Sequence, residues 1–167
     1  MIEKANLAAK PIIVANGLLE SMVKAPRPTR SEAADVLNAV MEGADALMLT
    51  SETEKGVNPL NAVKIISTIS CEAERTFNYK RFFTDMKNFT LPPLSTSEAI
   101  ASSAVSTVLD LDLDLIIVMT ETGSIARLVS KYRPPCPILA CCVNIDIIKN
   151  LQCVRGVSGH KIQTFVG

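Results

Sequence analysis

Two short apolar runs of this chain each end abruptly in polar residues, and this pattern constrains the fold more than any other feature. The first run, residues 12–14, stops just before the turn-permissive pair Asn16-Gly17. The second run, residues 46–49, leads directly into the polar segment 50–53. In α/β proteins, ligands are held at the carboxyl ends of parallel strands. The two runs therefore predict two strands of an α/β sheet whose ends carry a functional site.

Helices and strands alternate through the rest of the chain. Thr29, with Glu32 three residues later, forms a capping box that predicts a helix over residues 30–42. Asn58-Pro59 predicts the start of a helix that ends near residue 78. Further helices are predicted over residues 96–109, 124–131 and 146–153, and further strands over residues 115–119, 137–141 and 162–166. Such alternation predicts parallel sheets with helices on their faces.

The composition changes at residues 79–94. This segment holds four of the seven aromatic residues, a Pro-Pro pair and no clean hydrophobic period. We interpret it as a connector between two α/β regions, residues 1–78 and 95–167. The chain begins in what resembles the tail of a helix and ends on a predicted strand, so we expect both regions to be incomplete.

Charge and cysteine content bear on several functional classes. Lys+Arg and Asp+Glu both total 17, so the chain has no excess of positive charge that would attract nucleic acid or an anionic membrane. No apolar run has the length of a membrane span, and the first residues lack the apolar segment of a signal peptide. The five cysteines are odd in number and lack C-x-x-C spacing, so we expect buried, reduced thiols and a cytoplasmic protein.

The first candidate site comprises Asn16, Thr50 and Glu52. A carboxylate at a strand end beside hydroxyl groups can orient water or relay a proton. The alternative is that Glu52 and its neighbour Thr53 only cap the loop, because strand-end loops also need polar groups. The spacing of the residues leaves both interpretations open.

The second candidate site lies at a later strand end and comprises Thr120, Thr122, Gly123 and Ser124. Hydroxyl groups, a glycine and the free N–H groups of a helix N-terminus together form a nest for phosphate. Glu121 opposes this interpretation, because it places a negative charge where an anion would lie. The alternative is an ordinary strand–helix turn in which Ser or Thr caps the helix.

Three motifs in this chain are typical of one protein family. Residues 10–22, Lys-Pro-Ile-Ile-Val-Ala-Asn-Gly-Leu-Leu-Glu-Ser-Met, are similar to the pattern K-P-x-I-x-A-T-Q-M-L-E-S-M of the pyruvate kinase family. Residues 48–56, Met-Leu-Thr-Ser-Glu-Thr-Glu-Lys-Gly, are similar to M-L-S-G-E-T-A-K-G. Segments 98–100, 126–129 and 131–134 are similar to the C-terminal domain of the family. The resemblance covers essentially the whole chain.

The resemblance implies a phosphotransferase of glycolysis, which moves phosphoryl from phosphoenolpyruvate to ADP and yields pyruvate and ATP. It implies the last two strands of a (β/α)8 TIM barrel in residues 1–78, then an incomplete C-terminal α/β domain with a mainly parallel sheet in residues 95–167. The family uses Mg²⁺ and K⁺, whose ligands lie outside this segment, and the complete protein is expected to be a homotetramer. Because phosphoryl transfer depends on such ions, we expect the segment alone to be inactive.

The chain departs from the family pattern close to the implied catalytic site. Asn16 replaces the family's substrate-side threonine, and Gly17 replaces the glutamine after it. Thr50 replaces a serine and Ser51 a glycine, whereas Glu52 is retained. The Asn16 amide can hydrogen-bond but has no hydroxyl for relaying a proton. These departures leave open an alternative function, that of a non-catalytic pyruvate-kinase-like subunit acting by association or effector binding.

The loop at the second candidate site departs as well. Family members activated by fructose bisphosphate show T-K-S-G-R-S or a close variant there, whereas this chain has Thr-Glu-Thr-Gly-Ser-Ile over residues 120–125. One hydroxyl is replaced by Ile125, and no cation is retained. The resemblance implies an effector phosphate site at Thr120, Thr122, Gly123 and Ser124, and we expect fructose bisphosphate itself to bind weakly or not at all.

Overall fold

The computed structural model describes residues 1–164, which form two compact units. The first unit comprises Ile12–Phe77 together with Ile2, and the second comprises Met1, Glu3–Pro11 and the residues from Asn78 onward. Each unit has its own parallel sheet and its own apolar core, which confirms the predicted α/β class. Among the described residues, no helix is long and apolar enough to cross a membrane.

The first unit contains two strands that pair in parallel, so their carboxyl ends lie at the same edge of the sheet. The strands are β1 (Ile13–Ala15) and β2 (Ala46–Met48). A 3-10 helix (Glu20–Val23) follows β1. The α-helices are α2 (Arg30–Met41), α3 (Ser51–Glu54) and α4 (Pro59–Thr76).

The two long helices of the first unit begin at the predicted caps. The Thr29 hydroxyl accepts the N–H of Glu32, and the Glu32 carboxylate accepts the N–H of Thr29, so the capping box is complete. Asn58 caps α4 by accepting the N–H of Asn61, and Pro59 occupies the first helical position. Both predicted starts are confirmed.

The segment after β1 supplies much of the core of the first unit. Its apolar side chains are buried against helices α2 and α4, and this core consists of Leu18, Leu19, Met22, Val36, Ala62 and Ile66. The sequence did not predict the 3-10 helix in this segment, because four residues are too few to show a helical period. Burial of these side chains anchors the chain directly behind the strand end.

The second unit contains a three-stranded parallel sheet in the order β3-β4-β5, which confirms the mainly parallel sheet. The strands are β3 (Ile116–Met119), β4 (Ile138–Cys142) and β5 (Val157–Lys161). The helices are α1 (Ile2–Leu7, from Glu3 onward within this unit), α5 (Tyr79–Phe89), α6 (Thr96–Leu111), α7 (Ser124–Lys131) and α8 (Ile145–Leu151).

Strand β5 lies earlier in the chain than the prediction of residues 162–166. Residues 162–164 lie outside any strand, and residues 165 and 166 lie outside the described part of the chain. The apolar pattern misled the prediction, because β5 is largely polar and contains a glycine. A Cβ atom at Gly159 would lie 2.6 Å from Cγ2 of Ile148, so the close approach of α8 requires glycine there.

The segment expected to connect two domains contains a helix, α5. Asn78 caps it by accepting the N–H of Arg81. Phe83 and Met86, three residues apart, lie in the core of the second unit. The Pro-Pro pair follows the end of the helix, and grouping it with the aromatic residues obscured the helical spacing.

A buried ion pair joins α6 to the end of α7. The Glu98 carboxylate accepts hydrogen bonds from Nζ of Lys131 at 2.7 Å and from the Tyr132 hydroxyl at 2.6 Å. Lys131 and Tyr132 are both buried. Burial, together with the hydrogen bond to Glu98, raises the pKa of Tyr132 to about 12. The charge of Lys131 is therefore balanced inside the unit by Glu98.

Replacing Glu98 by glutamine should lower the free energy of unfolding by about 3–5 kcal/mol, because the buried Lys131 would lose its counter-charge. Urea unfolding followed by tyrosine fluorescence measures this, since Tyr79 and Tyr132 both belong to the second unit. The control is Asp146→Asn, which removes an exposed ion pair with Lys149 and should cost under about 1 kcal/mol. Equal effects of the two substitutions would contradict the prediction.

Candidate functional site

The pairing of β1 with β2 brings the residues of the first candidate site to one edge of a sheet. Ala15 is the register partner of Met48, so Asn16 and the segment that leads into Thr50 leave the sheet at the same level. Glu52 follows two residues later, in helix α3. The strand-end arrangement expected from the two apolar runs is thus present.

Asn16 and Gly17 form a left-handed turn at the end of β1. Their φ angles are 71° and 66°, and both residues are exposed. Glycine adopts positive φ without a steric penalty, and asparagine tolerates it better than most residues. A β-branched threonine would be strained at this position. Asn16 and Gly17, in place of the family's threonine and glutamine, therefore remove a hydroxyl and also favour a left-handed backbone.

The carboxylate of Glu52 joins the two segments that follow the strands. The residue is 1% exposed. Its Oε1 accepts the N–H of Leu19 at 3.0 Å, and its Oε2 accepts the N–H of Thr50 at 2.9 Å. Leu19 follows β1 and Thr50 follows β2, so one side chain holds both segments.

Burial and a neighbouring charge raise the pKa of Glu52, whereas hydrogen bonds lower it. Burial raises it by removing water from the charged form, and the neighbouring charge of Glu32 raises it further. Backbone N–H groups of Glu52, Thr50 and Leu19 donate to the carboxylate and outweigh both effects, so the pKa is lowered overall. Glu52 is therefore an ionised acceptor that holds the loops, and its catalytic role stays a prediction.

Gly56 allows the chain to turn tightly after α3. A Cβ atom there would lie 2.1 Å from the carbonyl oxygen of Glu52, a distance that no side chain tolerates. The N–H of Val57 then donates to the carbonyl of Val23 at 3.3 Å, which attaches this loop to the 3-10 helix. In the sequence, the signal for this role of Gly56 is a glycine two residues past the end of a short helix.

Glu32 is a second carboxylate that holds the segment after β1. It accepts the N–H of Ser21 at 2.7 Å and the Ser21 hydroxyl at 2.5 Å, as well as the N–H and hydroxyl of Thr29 at 2.8 Å each. Burial raises the pKa of Glu32, but these hydrogen bonds outweigh burial and lower it to about 2. The sequence predicts only the role of Glu32 in the helix cap, because no local spacing links this residue to Ser21.

The second candidate site is organised around the buried Thr120. Its hydroxyl accepts the N–H of Gly123 at 2.9 Å, and its own N–H donates to the carbonyl of Cys141 at 3.0 Å. Gly123 has a φ of 78°, and a Cβ atom there would lie 3.2 Å from side-chain atoms of Ile147 and Leu151. The Thr120 hydroxyl thus closes the turn before α7.

Thr122 and Ser124 are exposed and interact with each other. The Thr122 hydroxyl donates to Oγ of Ser124 at 3.0 Å and accepts the N–H of Ser124 at 3.4 Å. Glu121 is also exposed. These contacts are those of a strand–helix turn in which Gly123, and not a serine or threonine, is the N-cap of α7. Phosphate binding at this turn stays a prediction.

Within residues 1–164, no three or more His, Cys, Asp or Glu side chains are grouped so that they could hold a metal ion. In this same part of the chain the cysteines are free, with Cys136, Cys141 and Cys142 buried and Cys71 and Cys153 exposed. The expectation of buried thiols is thus wrong for the last two.

Both parts of the chain are similar to pyruvate kinases. Residues 1–63 match the family model for the pyruvate kinase barrel domain, and residues 98–165 match that for the pyruvate kinase alpha/beta domain. A pyruvate kinase of Eimeria tenella is 47% identical over 167 residues, which are 100% of this chain and 32% of that protein. One of Dictyostelium discoideum is 46% identical over 170 residues, covering 100% and 34%. The chain spans about a third of the length of these relatives.

Solved structures give the same result. The crystal structure of a pyruvate kinase from Cryptosporidium parvum matches with a TM-score of 0.96 and 40% identity, over 99% of this chain and 34% of that one. The Cryptosporidium parvum pyruvate kinase in complex with ADP matches with a TM-score of 0.88 and 41% identity, over 98% and 33%. The two family models together match well over half of the chain.

The low pKa of Glu32 predicts a loss of stability in acid. Its pKa is about 2 in the folded chain against an ordinary value of 4.5, so the unfolded chain binds this proton more readily. The stabilisation is therefore present above pH 4.5 and is lost as the pH falls toward 2. Urea unfolding in this range, followed by circular dichroism, should show a weaker dependence on pH for Glu32→Gln than for the parent chain. An unchanged dependence would refute this origin of the acid sensitivity.

Proposed function

Because this chain belongs to the pyruvate kinase family, we propose that it is part of a phosphotransferase that moves phosphoryl from phosphoenolpyruvate to ADP, yielding pyruvate and ATP. The observation that carries the proposal is the strand-end arrangement of the first unit. Asn16 follows β1, Thr50 follows β2, and the retained Glu52 hydrogen-bonds to the backbone of both segments. A solved relative from Cryptosporidium parvum binds ADP, which supports a nucleotide as one substrate.

The proposal gives different roles to the three residues of the first candidate site. Asn16 and Thr50 contact the substrate, and Thr50 offers a hydroxyl that can donate or accept a proton. This hydroxyl makes no capping bond to α3, which leaves it available for such contacts. Glu52 keeps both segments in place, because its two oxygen atoms are bound to backbone N–H groups.

The proposal includes the ions that the family uses, Mg²⁺ and K⁺. Bound Mg²⁺ neutralises charge on the transferring phosphoryl group. The resemblance to the family assigns the ligands of both ions to parts of the complete protein outside residues 1–164, and this chain contributes substrate-side groups.

Assembly, location and effector binding complete the proposal. We place the complete protein in the cytoplasm as a homotetramer, as is usual in the family, without nucleic-acid or membrane partners. The balanced charge of the chain supports the absence of an anionic partner surface. Thr120, Thr122, Gly123 and Ser124 would bind an effector phosphate, and the exposed Glu121 disfavours a sugar bisphosphate there.

A second candidate function is a non-catalytic subunit that acts by association or effector binding. The left-handed turn at Asn16 and Gly17 favours it, because the family's threonine would be strained at the φ of 71° found for Asn16. Ser51 adds a side chain where the family has glycine. Both changes alter the site without removing Glu52.

A chimera separates the two functions. The segment of Cryptosporidium parvum pyruvate kinase that matches this chain is replaced by this chain, and pyruvate formation is measured with phosphoenolpyruvate, ADP, Mg²⁺ and K⁺. We expect turnover below that of the parent enzyme, because a lost acid–base group costs about 10²–10⁴-fold. Asn16→Thr combined with Gly17→Gln should raise kcat, because it restores the hydroxyl of the family pattern, and Thr50→Ala should lower it.

The chain alone is the control for the chimera and should show no turnover under the same conditions. Circular dichroism and size-exclusion chromatography confirm that each chimera folds and assembles. A folded chimera that stays inactive with threonine and glutamine restored would overturn the enzymatic function in favour of the non-catalytic subunit.

A further inference from the structure

Two carboxylates from two different helices bind the N-terminal end of the 3-10 helix Glu20–Val23. Glu52 of α3 accepts the N–H of Leu19, the N-cap residue, at 3.0 Å. Glu32 of α2 accepts the N–H of Ser21 at 2.7 Å and its hydroxyl at 2.5 Å. The first N–H groups of a helix have no partner within the helix and attract negative charge. The two side chains therefore hold this short helix from two sides.

The contacts of Glu32 exceed what a helix cap requires. In a capping box the Glu32 carboxylate accepts one hydrogen bond, from the N–H of Thr29. The two bonds to Ser21, eleven residues earlier in the chain, add nothing to the cap of α2. They connect the start of α2 to the segment that leaves β1.

That segment is the one that carries the turn of the first candidate site. The exposed Asn16 and Gly17 precede Leu18 and Leu19, which are buried in the core of the first unit. The core fixes the apolar side chains, and the two carboxylates fix the backbone of the next residues. A displacement of this backbone would move Asn16, and misplacement by about 1 Å can cost 10²-fold in rate.

We propose that Glu32 is a positioning residue for the phosphoryl-transfer site, which it serves by holding Ser21 and thereby the turn at Asn16 and Gly17. The part of this inference that concerns the rate rests on the proposed function. Glu32 acts through the backbone and touches no substrate. Glu52, bound to Leu19, acts from the other side of the same short helix.

The variants Glu32→Gln, Ser21→Ala and Thr29→Ala separate positioning from capping. Glutamine at position 32 has one acceptor atom and no charge, so it cannot accept all four bonds from Ser21 and Thr29, and the bonds that it keeps are weaker. Ser21→Ala removes one of the two bonds and leaves the cap of α2 intact. Thr29→Ala removes the cap's hydroxyl but leaves the bonds between Glu32 and Ser21 in place.

Amide hydrogen exchange in the full chain is the first measurement. Glu32→Gln should accelerate exchange of the Ser21 amide by about tenfold or more relative to amides in the middle of α2, whereas Thr29→Ala should not change this ratio. Because the ratio is taken within one sample, a general loss of stability does not produce it. An unchanged ratio in Glu32→Gln overturns the inference.

Steady-state kinetics of the complete protein is the second measurement. Glu32→Gln should lower kcat by about 10–100-fold, Ser21→Ala should lower it less, and the double variant should not exceed Glu32→Gln alone. Thr29→Ala should stay within about twofold of the parent kcat. A loss in Thr29→Ala as large as that in Glu32→Gln would show that Glu32 acts only as a cap.

A parent protein without turnover would overturn the proposed function, and the exchange ratio would still decide whether Glu32 holds Ser21.

Discussion

The buried carboxylate of Glu52 is the contact on which the site of the first unit depends. Removing a carboxylate from water is costly unless other donors replace the lost hydration. Here the replacement consists of backbone N–H groups, including those of Leu19 and Thr50, from the segments that follow β1 and β2. The charge can stay buried only while both segments keep their places. The cost of burying the Glu52 carboxylate is thus offset only in the geometry that places these N–H groups at the strand edge.

Core burial, a second carboxylate and a glycine support this arrangement. Leu18, Leu19 and Met22 are buried in the core, Glu32 binds Ser21, and Gly56 removes the side chain that would collide with the carbonyl of Glu52. Within the first candidate site the chain departs from the family pattern at Asn16, Gly17, Thr50 and Ser51. Glu52, which holds the two strand-end segments, is retained.

Much of the fold could be predicted because it depends on local chemistry. The caps at Thr29 and Asn58, the glycine before α7 and the alternation of helices with parallel strands all leave short-range patterns. The missed features depend on distant partners. The bond from Glu32 to Ser21, the glycine in β5 that accommodates Ile148 and the donors around Glu52 arise only when separate elements pack together.

Titration of the Glu52 side chain tests the central claim most directly. The carboxyl carbon resonance, assigned by comparison of the full chain with its Glu52→Gln variant, reports the pKa of this one group in nuclear magnetic resonance spectra. Burial alone would raise the pKa of Glu52 above its ordinary value of 4.5, whereas the backbone donors lower it. We expect a pKa below 4.5. A pKa above that value would contradict the account, because the two strand-end segments would then not be held by a charged carboxylate.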